Sequence, residues 1–113
     1  MNEKLAQSAT AAAGTFRRVT SLEALKSSTS LGLVVEGRKL AIFWSEGNVV
    51  ATNGRCPHAK GPLHEGEVVG ATVTCPWHGY TFDLRSGACE EDGELWLEFF
   101  ETRVVGDDVL VRV

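Results

Sequence analysis

The stretch from Cys56 to His78 has the sequence CPHAKGPLHEGEVVGATVTCPWH. It holds all three histidines of the chain and two of its three cysteines. Its ends have the spacings C-x-H and C-x-x-H, and each lies in a loop-forming segment with proline and glycine. Because two thiolates and two imidazoles suit a borderline or soft metal, we expect the two loops to converge on one metal centre. The candidate ligands are Cys56, His58, Cys75 and His78.

A structural zinc site is the first alternative for this ligand set. Zinc sites usually pair like ligands, as C-x₂₋₄-C with H-x₃₋₅-H. Here each loop contributes one cysteine and one histidine, which is rare for zinc. The arrangement fits a binuclear iron–sulfur cluster in which one iron takes both thiolates and the other takes both imidazoles. A zinc-binding interaction module remains a third possibility for the chain.

Away from these loops, glycine-containing turns recur at intervals of about 8–12 residues and separate short β-type runs. This spacing predicts an all-β chain, an antiparallel sandwich or barrel. One helix is expected at Leu22–Lys26, after the capping-box sequence Thr20-Ser21-Leu22-Glu23. The predicted strands are Phe16–Val19, Leu33–Val35, Leu40–Phe43, Val49–Thr52, Ala71–Thr74, Tyr80–Asp83, Leu95–Phe99, Thr102–Val105 and Val109–Val113.

The chain has 113 residues, of which 43% are hydrophobic and 23% charged, so one domain is expected. An odd number of cysteines excludes a dense disulfide framework. The net charge of −4 argues against a nucleic-acid partner. No apolar run is long enough for a membrane span and no export signal is present, so we expect a cytoplasmic protein without a membrane partner. Residues 1–14 are expected to be a disordered tail before a domain at 15–113.

Two segments carry a resemblance to a known family. Cys56-Pro-His-Ala-Lys-Gly-Pro-Leu and Cys75-Pro-Trp-His-Gly-Tyr-Thr-Phe-Asp-Leu resemble the two cluster-binding boxes of Rieske 2Fe–2S proteins. The likeness covers roughly residues 15–113, and within the family the chain resembles the small ferredoxins of bacterial aromatic-ring dioxygenase systems. It implies that Cys56 and Cys75 bind an inner iron, while His58 and His78 bind an outer one. It also implies an antiparallel β-sandwich or barrel with a small cluster-binding subdomain at about residues 54–83.

The same resemblance predicts a low redox potential within the Rieske range of about −150 to +300 mV. High-potential Rieske proteins of respiratory chains carry an extra cysteine in each box, joined as a disulfide. The matching positions here are Gly61 and Trp77, so that bridge is absent. Those proteins also direct a serine and a tyrosine hydroxyl at the cluster sulfurs. Tyr80 and Phe82 stand at these positions, and neither supplies the expected hydroxyl.

The histidine count favours an electron carrier over an enzyme. With two histidines used as ligands, only His64 remains, and a mononuclear oxygenase iron needs two histidines and a carboxylate. No G-x-G-x-x-G segment indicates a nicotinamide or flavin site. The resemblance implies a monomer that takes electrons from a flavin-dependent NAD(P)H reductase and delivers them to a terminal oxygenase of aromatic hydrocarbon catabolism. The small Rieske subunit of an assimilatory nitrite reductase is the alternative.

Several neighbouring residues have simpler expected roles. His64 is predicted to be a solvated loop residue and Cys89 a buried structural thiol. The acidic run Cys89–Glu94 is predicted to be a solvated turn, with a docking patch for a basic reductase as the alternative. Trp77 is predicted to shield the cluster from water, with generic loop packing as the alternative. The predicted apolar docking rim consists of Pro62, Leu63 and Pro76.

Overall fold

The computed structural model of the chain describes residues 15–77 and 79–113, so the expected tail, residues 1–14, lies outside the described part. The described residues form an all-β protein, as predicted. The strands are β1 (Phe16–Ser21), β2 (Ser30–Val35), β3 (Arg38–Ser45), β4 (Asn48–Asn53), β5 (Glu67–Val69), β6 (Thr72–Thr74), β7 (Thr81–Asp83), β8 (Phe99–Val105) and β9 (Asp108–Arg112). The helices are α1 (Leu22–Ser28) and a single 3₁₀ turn (Leu63–Glu65).

Two antiparallel sheets organise these strands. The larger has six strands in the order β1-β9-β8-β4-β3-β2, and the smaller has the order β5-β6-β7. The β2–β3 and β3–β4 hairpins each turn through a Glu-Gly pair, Glu36-Gly37 and Glu46-Gly47, with positive φ at both residues. Such two-residue turns match the twist of adjacent strands and fix their register. The small sheet follows the first box in the sequence and packs against the large sheet through a shared core.

Strand β3 lies between two hydrophobic clusters. Ala41 and Phe43 pack into one cluster, which also contains both box cysteines, whereas Leu40 and Ile42 pack into the other with Leu25 of α1. All four β3 side chains are essentially inaccessible to solvent. Because side chains alternate along a strand, one short segment serves both cores. The core that holds the box cysteines and the core that holds the helix are thus both packed against the same strand.

The helix begins at Leu22, as predicted, and ends at Ser28, two residues beyond the predicted end, but its N-cap differs from that of the capping box. Ser21, and not Thr20, is the N-cap, and its hydroxyl accepts a hydrogen bond from the Ala24 backbone N–H at 3.0 Å. The Glu23 backbone N–H donates instead to the Asp107 carboxylate in the β8–β9 turn. A contact distant in sequence therefore replaces the predicted local one. No helix among the described residues is long and apolar enough to cross a membrane.

The predicted strand Leu95–Phe99 is wrong for most of its length. Trp96 forms only an isolated bridge, and β8 begins at Phe99. The Glu98 backbone N–H donates to the Asn53 side chain, and that of Leu97 donates to the Gly87 carbonyl. These bonds occupy the backbone N–H groups that would otherwise pair with a neighbouring strand.

Candidate metal centre

The first box forms a tight loop after β4. The Cys56 backbone N–H donates to the Gly61 carbonyl at 2.8 Å, and the Lys60 N–H donates to the Cys56 carbonyl at 2.7 Å. Lys60 has a φ of 63°, which turns the chain back on itself. The loop buries the Cys56 side chain completely and leaves His58 exposed. The loop therefore directs the Cys56 thiol into the core and leaves the His58 imidazole at the surface.

The second box is the loop between β6 and β7. The Cys75 backbone N–H donates to the Tyr80 carbonyl at 2.8 Å and closes this loop. Gly79, with a φ of 75°, supplies a left-handed conformation that a glycine adopts readily. Cys75 is buried, with only 1% of its surface exposed. The predicted ligand His78 falls in this loop but lies outside the described residues.

The two box cysteines meet in one buried environment. Desolvation by burial raises the pKa of the Cys75 thiol to about 11, and a hydrogen bond from the Trp77 backbone lowers it. A hydrogen bond with the Cys56 side chain, and that side chain's charge, raise this pKa further. The Cys75 thiol is therefore protonated at neutral pH unless a metal replaces the proton. An enclosed pair of sulfur donors suits a soft or borderline metal, so the residues fit an iron–sulfur cluster.

His58 connects the first box to the second. Its imidazole stacks on the Tyr80 ring, with 3.7 Å between centroids and 8° between planes. Tyr80 ends the second loop, so the contact brings the predicted ligand His58 to the loop of Cys75. Among residues 15–77 and 79–113, no three His, Cys, Asp or Glu side chains lie close enough together to hold a single ion.

Trp77 and Gly61 form the second connection between the loops. A Cβ atom on Gly61 would lie 2.8 Å from the Trp77 Cγ atom, so only a glycine allows this approach. The indole is still 51% exposed, which makes Trp77 a partial cover at the protein surface. The contact between the indole and the Gly61 backbone is not evident from the sequence.

Residues around the boxes differ in part from expectation. Cys89 is buried in the same core as the box cysteines, and burial raises the pKa of its thiol, as expected for a structural residue. His64 is only partly solvated: its side chain is 36% exposed, and its ring packs directly over Gly32. Leu63, predicted in an exposed rim, is fully buried. Glu91 is not simply solvated, since its carboxylate accepts hydrogen bonds from the Thr81 backbone and hydroxyl.

Comparisons with known proteins agree with this geometry. The family model described as "Rieske [2Fe-2S] domain" matches residues 15–95. The ferredoxin component of the naphthalene 1,2-dioxygenase system from Pseudomonas putida is 37% identical over 57 residues, which are 50% of this chain and 55% of that protein. The chain thus spans about half the length of this curated relative.

Solved structures share the fold over most of both chains. The ferredoxin of carbazole 1,9a-dioxygenase from Nocardioides aromaticivorans IC177 has a TM-score of 0.78 at 28% identity, covering 86% of this chain and 96% of that one. A protein from Mycobacterium tuberculosis assigned as an NADH-dependent nitrite reductase small subunit has a TM-score of 0.79 at 19% identity, with coverages of 88% and 96%. At that identity the second likeness shows the fold alone.

Proposed function

Because the chain belongs to the Rieske [2Fe-2S] domain family, we propose that it is a low-potential Rieske-type ferredoxin. In this role it carries single electrons from a flavin-dependent NAD(P)H reductase to a terminal ring-hydroxylating oxygenase. The family's cofactor is one Rieske-type 2Fe–2S cluster. The observation that carries the proposal is the contact between the two box loops, whose cysteines, Cys56 and Cys75, are buried in one core.

The proposed ligands differ in how deeply they are buried. Cys56 and Cys75 bind the inner iron as thiolates, since they are buried together in one core. His58 binds the outer iron, since its ring is exposed at the first loop. The family pattern supports His78 as the fourth ligand. When bound, the cluster supplies reversible one-electron transfer without a change in any covalent bond to substrate.

The chain's own residues shape this site. Leu63, Val73 and Phe82 are fully buried in the core that holds the cysteines and exclude water from that side. Tyr80 fixes the plane of the His58 ring by stacking. Because His58 is exposed, a docked partner can approach the outer ligand without displacing any of the core. The site is thus closed behind the cysteines and accessible at the histidine.

A carrier suits this chain better than an oxygenase. The sequence contains three histidines, and His64, the one outside the boxes, is packed over Gly32. A second iron centre of the two-histidine, one-carboxylate type would need another histidine. The names of the relatives, ferredoxin components of dioxygenase systems, support the same role. We propose that the chain is a monomer whose partners perform the chemistry on substrate.

The proposed cluster-binding subdomain extends over about residues 54–83. It includes both boxes and the small β5-β6-β7 sheet. Residues 15–53 and 84–113 supply the rest of the Rieske domain. Core side chains of both parts pack together, so the subdomain is supported by the large sheet and not by a separate core.

Absorption and electron paramagnetic resonance spectra test the ligand set. The purified protein is expected to be red-brown, whereas a zinc protein would be colourless. Cys56→Ser and Cys75→Ala are expected to abolish the cluster spectrum. Cys89→Ser is the matched control, because Cys89 is buried in the same core without belonging to a box. Loss of colour in Cys89→Ser would refute the assignment.

Reconstitution separates the carrier from the nitrite reductase subunit. A carrier is expected to be isolated as a free monomer that accelerates electron flow from a reductase to an oxygenase at catalytic concentration. An obligate subunit would instead co-purify with a larger protein and would not exchange between complexes. The second result would favour the nitrite reductase alternative.

A further inference from the structure

A groove of about 410 Å³ opens beside the candidate metal centre. It lies between β2, the start of β3 and the two box loops, and Trp77 forms part of its wall. Trp77 and Val34 are both more than half exposed, so the wall includes apolar surface in contact with water. Three cations line the same groove, namely Lys39, Arg55 and Lys60.

These three cations differ from the others in the described chain. Five arginines are ion-paired with carboxylates: Arg17, Arg18, Arg38, Arg85 and Arg112. Lys26 and Arg103 lie over the rings of Trp44 and Phe16. Among residues 15–77 and 79–113, only Lys39, Arg55 and Lys60 have neither kind of partner. Unpaired cations are therefore concentrated at one place, next to the cluster loops.

The backbone of Lys60 is a second, independent observation. Its φ of 63° places a lysine where glycine would be unstrained. Backbone strain of this kind is found preferentially at functional sites, where a side chain is worth more than the conformation costs. The hydrogen bond from the Lys60 N–H to the Cys56 carbonyl holds this residue in the first box. A cation is thus kept in the groove despite an unfavourable conformation.

We infer that this groove is the docking site for an acidic segment of the redox partner, in which carboxylates flank an apolar side chain. The inference rests on the proposed function. The carboxylates face Lys39, Arg55 and Lys60, and the apolar side chain covers Trp77 and Val34. A free inorganic anion would leave that apolar wall exposed to water. Because the whole chain has a net charge of −4, attraction is confined to this groove and orients the partner on the cluster side.

Charged one-electron oxidants measure the local charge at the site of electron transfer. The reduced holo-protein is mixed in a stopped-flow instrument with anionic hexacyanoferrate(III) or with cationic tris(phenanthroline)cobalt(III). We expect the anionic reagent to react more slowly as salt rises, since salt screens an attraction. The net charge of −4 alone predicts the opposite salt dependence, and that result would overturn the inference.

Substitutions locate the effect in the groove. Lys39→Gln is expected to slow the anionic reagent about threefold, and Lys39→Gln with Lys60→Gly about tenfold. Lys26→Gln is the matched control, because it removes the same charge from α1 and is expected to change the rate less than twofold. The glycine suits the backbone at position 60, so the double variant should fold. Equal effects of Lys39→Gln and Lys26→Gln would contradict the inference.

Peptide binding gives a readout that does not depend on electron transfer. Isothermal titration calorimetry compares a capped Glu-Leu-Glu-Leu-Glu peptide with its Lys-Leu-Lys-Leu-Lys counterpart on the holo-protein. The acidic peptide is expected to bind, and to bind about tenfold more weakly to the double variant at low salt. Preference for the basic peptide, or equal binding to both proteins, would refute the docking site.

Two further outcomes are distinguishable. If sedimentation shows a dimer that Lys39→Glu dissociates, the occupant is a second copy of this chain and the inference is wrong. If the protein lacks a 2Fe–2S spectrum, the proposed function fails before any rate is measured. A normal spectrum together with salt dependence of the wrong sign overturns the groove alone.

Discussion

Gly61 lies against the indole of Trp77, so closely that a Cβ atom at position 61 would be 2.8 Å from the Trp77 Cγ atom. By resemblance, these are the two positions that carry cross-linking cysteines in respiratory-chain Rieske proteins. Here a packing contact joins the same two loops without a covalent bond. The two loops can therefore separate more easily than loops joined by a disulfide. Substitutions at Gly61 and at Trp77 test the contact.

Gly61→Ala is expected to force the indole away and to destabilise the holo-protein by about 1–3 kcal/mol, the usual range for overpacking. The measurement is the midpoint of cluster loss on heating, followed by visible absorbance. Gly93→Ala is the matched control, because no atom lies within 4 Å of a Cβ there. Adding Trp77→Ala to Gly61→Ala should recover part of the loss, and an additive further decrease would contradict the packing explanation.

Tyr80→Leu is expected to accelerate loss of the cluster to a chelator, by about 10- to 100-fold, the range for residues that orient a metal ligand. The reason is the stacked contact of 3.7 Å between the Tyr80 and His58 rings. Tyr80→Phe retains the ring and should behave like the original protein. If Tyr80→Phe loses the cluster as fast as Tyr80→Leu, the hydroxyl and not the stacking is responsible.

The midpoint potential is expected near the lower end of the Rieske range, about −150 to +300 mV. Phe82→Tyr should raise it, by at most ~65–130 mV, if the added hydroxyl donates one hydrogen bond worth about 1.5–3 kcal/mol. Phe82 is fully buried, so the spectrum must first show that the variant keeps its cluster. A midpoint above about +100 mV in the original protein would overturn the low-potential proposal.

Removal of the cluster is expected to loosen residues 54–83 while the large sheet stays folded. Each strand of the β5-β6-β7 sheet has only three residues, so its ladder is short and depends on the packing around Cys56 and Cys75. Hydrogen exchange of apo- and holo-protein measures this directly. Equal protection of β6 and β7 in the two forms would refute the proposed subdomain.

Glu91 is expected to titrate below an ordinary glutamate. The Thr81 backbone N–H, followed by the Thr81 hydroxyl, donates to its carboxylate and lowers its pKa. Its stabilising contribution is therefore present at neutral pH and is lost as pH falls through the lowered pKa. Thr81→Val keeps the shape and the backbone bond, so the pKa should rise only part of the way to the ordinary value. Carbon-detected nuclear magnetic resonance titration measures the Glu91 pKa in the original protein and in the variant. An unchanged pKa in Thr81→Val would show that the hydroxyl contributes nothing.

Local sequence patterns are sufficient to predict a ligand set for the metal centre. The spacings around Cys56 and Cys75 are readable in the sequence because each loop carries its own ligands. The paired strands with clear alternation were also predicted. Family membership and an all-β fold are confirmed, whereas the ligand set of Cys56, His58, Cys75 and His78 stays a prediction.

Contacts between distant segments account for what the sequence did not reveal. The N-cap at Ser21 follows a bond from Glu23 to Asp107, and the irregular backbone near Glu98 follows a bond to Asn53. The groove near Lys39 depends in the same way on which cations find a carboxylate elsewhere in the fold. No single-sequence pattern specifies such pairings, because they join segments that are far apart in the sequence and meet only in the folded chain.

The placement of β3 between two cores limits how this chain can change in length. Inserting one residue before Ala41 would turn Phe43 toward the helix side and bring Ile42 against the cysteines, so both cores would be disrupted together. The hairpin turn at Glu36-Gly37 lies outside both cores, so residues added there would leave the alternation of side chains along β3 unchanged. A reporter or linker inserted into this protein therefore belongs at that turn, and related chains can differ in length there while the strand itself keeps its register.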